Sequence, residues 1–431
     1  MTNNDTNQPT VPDLATLRRR GTMKWRGYPK DVLPLWVAES DFDTCPAVNR
    51  AIQDAVDREY FGYPAGEDEL KKALSNFYSR RFGWTFDPDW VRIVPDVVKG
   101  VTVAIDELTP AGSAIVLPVP SYHPFFDVPT ASHRPSIEVP MKWTGSGEAG
   151  VPNGNGEWTF DLDALEDIFA NGTASARGRV VVPHTSDANP APADSSEAAP
   201  AGSLILCNPY NPLGRAFRAD ELRAVIELAA KYGVRVISDE IHAPVVLDGA
   251  KHTPAASVSD IAAENTVTVT ATSKGWNTAG LRCAQMIFSS EQDRQAMAQV
   301  HKLRTGEGST LGLVAATAAY NEGEAWLNGQ VNYLSENLDL LERRIPEVLP
   351  GAKFIRPEAT YLLWLDLTDV PGLGLADTTT PAALIASKAR VAFNEGTGYG
   401  TGGEGHVRLN FATSPKILNE ALDRIAEAFP Q

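Results

Sequence analysis

Only three cysteines, Cys45, Cys207 and Cys283, occur among the 431 residues, and they show neither a disulfide framework nor metal-ligand spacing. This scarcity excludes a disulfide-framed fold, and burial is the expected role of Cys207 and Cys283, which lie in or beside apolar runs. No His/Cys/carboxylate cluster has ligand spacing and no Ser–His–Asp order stands out, so neither a metal centre nor a hydrolytic triad is read from the chain. No run approaches the roughly 20 apolar residues of a membrane span. The segment Met1 to Pro12 is polar and carries no apolar signal core, which makes a cytoplasmic protein the expectation. Positive charge is also scarce: 38 Lys and Arg stand against 54 Asp and Glu, a net charge of −16. That balance argues against nucleic-acid binding and fits a soluble enzyme acting on a small molecule. Internal repeats are absent.

Three strand-like runs each lead into residues that carry chemistry. Leu204 to Cys207 precedes Asn208-Pro209-Tyr210-Asn211-Pro212, and Val236-Ile237-Ser238 precedes Asp239. Thr266 to Thr270 precedes Ser273-Lys274, and eight positions later comes Arg282, just before the Gln285–Phe288 run. Asn211 and Asp239 stand 28 positions apart. The interval reads as loop, helix and strand, with Leu222, Val225, Ile226 and Ala229 on one helix face and Gly233 as its stop. One βαβ crossover thus returns the chain to the same sheet edge and puts both side chains at strand carboxyl ends. Taken singly, each of these residues is an ordinary cap, turn or surface charge. Together they are the set that pyridoxal 5'-phosphate (PLP) requires. Lys274 is the amine that bonds the cofactor and later carries a proton, and Asp239 is the acid that keeps the ring nitrogen protonated. Asn211 donates to the ring oxygen, and Arg282 offers its fork to the phosphate.

With these residues in place, the chain resembles fold-type I PLP enzymes of the class I/II aminotransferase superfamily, and within it the MalY/PatB-type cystathionine β-lyases. The resemblance runs from about Leu17 to Phe429. It rests on Leu33-Pro34-Leu35-Trp36-Val37-Ala38-Glu39-Ser40-Asp41-Phe42, on Phe61-Gly62-Tyr63-Pro64, on Asp239-Glu240-Ile241-His242 and on Ser273-Lys274-Gly275-Trp276-Asn277 with Gly280-Leu281-Arg282. His242 stands where many aminotransferases carry Tyr, which favours the lyase branch, and the actinobacterial C–S lyases are the nearest subgroup.

The resemblance implies further roles. Tyr122 stacks on the cofactor ring, the Val98-Lys99-Gly100 segment cradles the phosphate with backbone N–H groups, and Ser273 adds a hydroxyl there. Tyr63 reaches the phosphate of a neighbouring subunit, which implies a homodimer with shared sites. Arg408 grips the substrate α-carboxylate, and Ala38 faces the same group. Glu39-Ser40 and Ala271 depart from residues common in the family. Asn394 and the glycine-rich stretch from Gly396 to Gly405 are expected at the cavity entrance.

The implied fold is α/β: a large domain, residues 67–308, whose mostly parallel seven-stranded sheet is sandwiched by helices, and a smaller α+β domain from residues 1–66 and 309–431. Residues 183–202, rich in Pro, Ala, Ser and Asp, read as a disordered surface insertion. The implied activity is β-elimination from L-cystathionine or a related cysteine thioether, giving thiol (homocysteine, placing the enzyme in methionine biosynthesis), pyruvate and ammonia. An aminotransferase on the same scaffold is the alternative, because both reactions begin by removing the Cα proton. A regulatory, partner-binding role is a second alternative.

Overall fold

The computed structural model describes residues 8–146, 149, 156–182, 198–373 and 380–430. Its main sheet has eight strands: β1 (Val91–Val94), β2 (Ala114–Val119), β3 (Ser136–Pro140), β4 (Arg179–Val181), β5 (Ala201–Cys207), β6 (Arg235–Asp239), β7 (Thr266–Ala271) and β8 (Ala284–Phe288). They lie in the order β1-β8-β7-β6-β5-β2-β3-β4. The central run from β7 to β3 is parallel, while β8 and β4 run against their neighbours. The eighth strand is β4, a short exposed edge whose three residues carry no periodic signal of their own.

Burial on both faces explains why the central strands read as near-continuous apolar runs. Along β8, Met286 and Phe288 enter one core while Ile287 enters the other. This is the period-two alternation of a strand between two packed layers. The expected crossover is present: α1 (Ala219–Lys231) joins the parallel neighbours β5 and β6 and buries Leu222, Val225, Ile226 and Ala229.

A second sheet is antiparallel. It comprises Lys353–Phe354, Leu362–Asp366, Asn394–Glu395 and His406–Asn410, and its central pair sets Trp364 opposite Arg408. The early chain joins this region, since Leu33–Pro34 pairs in parallel with Val391–Ala392. Just beyond, the Leu35 carbonyl accepts from the Asn410 N–H at 2.9 Å. Most of the expected surface insertion, residues 183–197, lies outside the described residues. Its last two residues, Ala201 and Gly202, open β5, so the strand begins earlier than Ser203. Gly202 supplies no apolar side chain, which hides that start from a hydrophobic pattern. No described helix is long and apolar enough to cross a membrane.

Candidate active site

Carboxyl ends of parallel strands collect the functional side chains. In the register of β5 and β6, Cys207 lies opposite Asp239, and the Asn208 N–H donates to the Asp239 carbonyl at 2.9 Å. Asn211 follows one strand and His242 the other. The turn after β7 supplies Ser273 and Lys274. These residues, with Ala38 and Tyr122, line one cavity of about 400 Å3.

Lys274 points its amine at the early chain: Nζ donates to the Ala38 carbonyl at 2.7 Å, and the Tyr361 hydroxyl donates to the same oxygen at 3.0 Å. Burial is the main cause that pulls the Lys274 pKa down, to about 8, and the Arg408 cation adds to it. Asp239 responds to burial in the opposite sense and is pushed up to about 7, against the Ile241 N–H that donates to its Oδ1 at 2.9 Å. His242 is buried, held far below the ordinary imidazole range by desolvation and by the Lys274 and Arg408 cations. It is therefore a neutral ring at physiological pH, and its Nδ1 has no hydrogen-bond partner among the described residues.

Arg408 is buried on the His406–Asn410 strand. Nη1 donates to Asn211 Oδ1 at 3.2 Å and Nη2 to the Trp36 carbonyl at 3.1 Å. Its guanidinium lies over the Tyr399 ring, 5.3 Å from the centroid. With its oxygen on Arg408, Asn211 keeps an NH2 group for another acceptor. Tyr122 borders the cavity with its ring edge-on to Phe125, and burial raises its phenol pKa.

The proposed phosphate corner differs in detail from the sequence expectation. Val98 lines the cavity at the first turn of α2 (Val97–Leu108), where the N–H groups of Val97 and Val98 have no intrahelical acceptor. Lys99 and Gly100 have theirs already: Lys99 N–H donates to Asp96 Oδ1 at 2.8 Å, and Gly100 N–H to the Asp96 carbonyl at 3.0 Å. The N–H groups left without an acceptor within the helix are thus those of Val97 and Val98. Gly100 is needed for packing, because a Cβ there would stand 2.7 Å from Val269 Cγ1. Arg282 reaches the cavity rim in a left-handed backbone conformation and pairs with Asp96 Oδ2 at 2.8 Å.

Tyr63 is not brought to the cavity of its own chain. It is 97% exposed, beside a separate recess bordered by Lys71, Lys302 and Glu307. Asn394 pairs with Arg408 across strands and binds His123 Nε2 at 3.2 Å, so it supports the wall rather than facing the cavity.

Several contributors escaped sequence reasoning. Asp96 is a helix cap before an apolar run, a signal that could have been read. Tyr361 reaches the site only through the second sheet, and no local pattern marks it. Trp36 and Asn277 stand within quoted motifs, but their contacts do not follow from them: the Asn277 side chain accepts from the Ser40 N–H and donates to the Ser40 carbonyl, each at 3.1 Å.

These features suit PLP. The buried Asp239 carboxyl matches a cationic ring nitrogen, the helix start and Arg282 match a phosphate, and a lysine amine stands at the cavity wall. Comparison with known proteins agrees. The model of the family "Aminotransferase class I and II" matches residues 30–425. A cystathionine beta-lyase of Corynebacterium glutamicum is 40% identical, with 96% of this chain and 98% of that protein covered. The cystathionine beta-lyase PatB of Bacillus subtilis is 31% identical over 92% of each. A crystal structure of a candidate PLP-dependent beta-cystathionase from Corynebacterium diphtheriae superimposes with a TM-score of 0.84 at 42% identity, covering 98% of this chain and 99% of that one.

Proposed function

The chain belongs to the class I and II aminotransferase family, and we propose that it is a PLP-dependent C–S lyase that releases thiol, pyruvate and ammonia from L-cystathionine or a related cysteine thioether. The observation that carries this reading is the convergence of Lys274, Asp239, Asn211 and Arg408 on a single cavity's surroundings. Full-length similarity to cystathionine β-lyases supports elimination over amino transfer.

PLP bonded to Lys274 would supply a cationic ring that draws electron density from the substrate Cα. Asp239 would keep the proton on the ring nitrogen, and Asn211 would donate its NH2 to the ring oxygen. Tyr122 would contact the ring, while Val97, Val98, Ser273 and Arg282 would hold the phosphate. Arg408, already oriented by Trp36 and Tyr399, receives the α-carboxylate as a bidentate pair. Once substrate frees its amine, Lys274 takes the Cα proton. In the cofactor-free chain burial already lowers the Lys274 pKa to about 8, the direction that favours a neutral amine able to accept a proton. The Ala38 carbonyl, 2.7 Å from Nζ, keeps the amine aimed into the cavity. Overall, one thioether and one water give one thiol, one pyruvate and one ammonia.

The working unit is a homodimer in which Tyr63 of each chain completes the phosphate contacts of the other. Its 97% exposure on the isolated chain supports this.

Lys274→Ala tests the assignment. The variant is expected to fold and lack both the visible absorbance of the lysine-bound cofactor and nearly all turnover. Wild-type absorbance in that variant before substrate is added contradicts the role of Lys274. Incubating wild-type protein with substrate and an α-keto acid separates the chemistries, since a lyase yields little aminated keto acid.

A further inference from the structure

Directly behind Asp239 lies a second carboxylate that the reaction above does not use. Glu240 is fully buried, as is the His252 side chain beside it. Asp239, the last residue of β6, borders the cavity, while Glu240, immediately after the strand, is buried in the interior. Glu240 receives a full set of donors there. Oε1 accepts from the Ala255 N–H at 2.8 Å and from the Ser238 hydroxyl at 3.1 Å, and Oε2 pairs with His252 Nε2 at 2.9 Å.

The imidazole state follows from its other nitrogen. His252 Nδ1 is buried with no partner among the described residues, and the ring edge meets Phe82 at 4.8 Å. A cationic ring would leave a buried N–H donor unsatisfied, whereas a neutral ring bearing its proton on Nε2 leaves only an acceptor lone pair. Both Glu240 side-chain oxygens are thus engaged by three donors, none of them Lys or Arg, and a second carboxyl group stands one residue from Asp239.

We propose that Glu240, fixed in place by His252, Ser238 and Ala255, is a positioning residue that reinforces Asp239 and keeps a proton on the cofactor ring nitrogen. The proposal rests on the PLP reading above. In the cofactor-free chain burial pushes Asp239 up, and the Glu240 carboxylate beside it adds to the shift in the same direction. Other groups facing the pair are Lys274, Cys207 and Tyr122 around Asp239, and Tyr78 near Glu240. Lys274 is the only one of these that ordinarily carries positive charge. The same network anchors the site mechanically, because Asn208 Nδ2 donates to the Thr253 carbonyl at 2.9 Å, one residue past His252.

The test is nitrogen-15 NMR of protein loaded with ring-labelled PLP, recorded against pH for wild type and Glu240→Gln. Glutamine keeps the shape and can bond a flipped His252 tautomer, so the fold is expected to persist. The ring nitrogen of the variant should lose its proton about one pH unit or more below wild type, with kcat reduced and KM little changed. A titration identical to wild type overturns the proposal. Should Glu240→Gln fail to fold, His252→Gln and His252→Leu replace it: the first retains a donor and should titrate like wild type, the second should shift downward, and equal behaviour overturns the proposal. Wild-type protein that binds no PLP at Lys274 overturns the cofactor reading itself, and is distinguishable because it precedes any variant.

Discussion

Burial moves Lys274 and Asp239 in opposite directions, and both shifts lower the charge of the cofactor-free cavity. Asp239 holds its proton up to about pH 7 in the folded chain, against an ordinary value of 3.8. A raised folded pKa means that its contribution to stability is fully present below 3.8 and is lost as pH rises through 7. The Lys274 shift has the other sign: its burial destabilises the fold below about pH 8, and this cost fades toward 10.5. Replacing Asp239 by Asn removes the first dependence. Cofactor-free Asp239→Asn is expected to melt higher than wild type near pH 8, with the gap narrowing toward pH 5, while its hold on PLP weakens. Thermal melts at the two pH values check this, and a gap independent of pH counts against a protonated, buried Asp239. Arg408 illustrates what one residue can acquire from distant neighbours. Its sequence context is an ordinary strand, yet Trp36, Asn211 and Tyr399 fix its guanidinium from three separate parts of the chain.

At the scale of elements, close packing of α2 on the sheet sets the phosphate end of the cavity. Gly100 faces Val269, Met286 and Val94, and a Cβ would meet them at 2.7, 3.3 and 3.3 Å. Gly100→Ala is therefore expected to cost about 1–3 kcal/mol, since β-branched Val269 has little room to turn. Chemical denaturation of the cofactor-free protein measures it, and an unchanged midpoint would remove the packing explanation. The elements were legible where their pattern was strong. Apolar runs marked β5 to β8, and the amphipathic stripe marked α1 to within a residue or so. Asn211, Asp239, Lys274 and Arg282 were readable because parallel strands deliver consecutive loops to one edge. Strands β3 and β4 gave no comparable signal, and β4 is exposed along all three residues. The acceptors for Lys99 and Gly100 depended on how Asp96 caps its helix, which a motif does not express. Contacts made by Tyr361, Asn277 and Glu240 depend on packing between segments far apart in sequence, and they became visible only in three dimensions.

For the whole molecule, the exposed Tyr63 carries the most specific prediction, because its motif implies a contact with the cavity of a neighbouring subunit and it lies outside the cavity of its own chain. A shared-site homodimer gives a specific result when two inactive variants are mixed. Tyr63→Ala and Lys274→Ala each impair sites, but a hybrid dimer has one site with both native residues. Unfolding and refolding an equimolar mixture should restore up to about a quarter of wild-type activity, because random pairing makes half the dimers hybrids with one intact site each. Recovery no greater than the sum of the separate variants would place Tyr63 outside the partner's site.

The most direct test of the central claim is pyruvate release from L-cystathionine by PLP-loaded protein with no α-keto acid present. Sustained release over many turnovers, matched by an equal amount of thiol, is the result predicted for a C–S lyase. No pyruvate release, with the cofactor driven to its pyridoxamine form by one equivalent of substrate, would contradict the account and make the protein an aminotransferase.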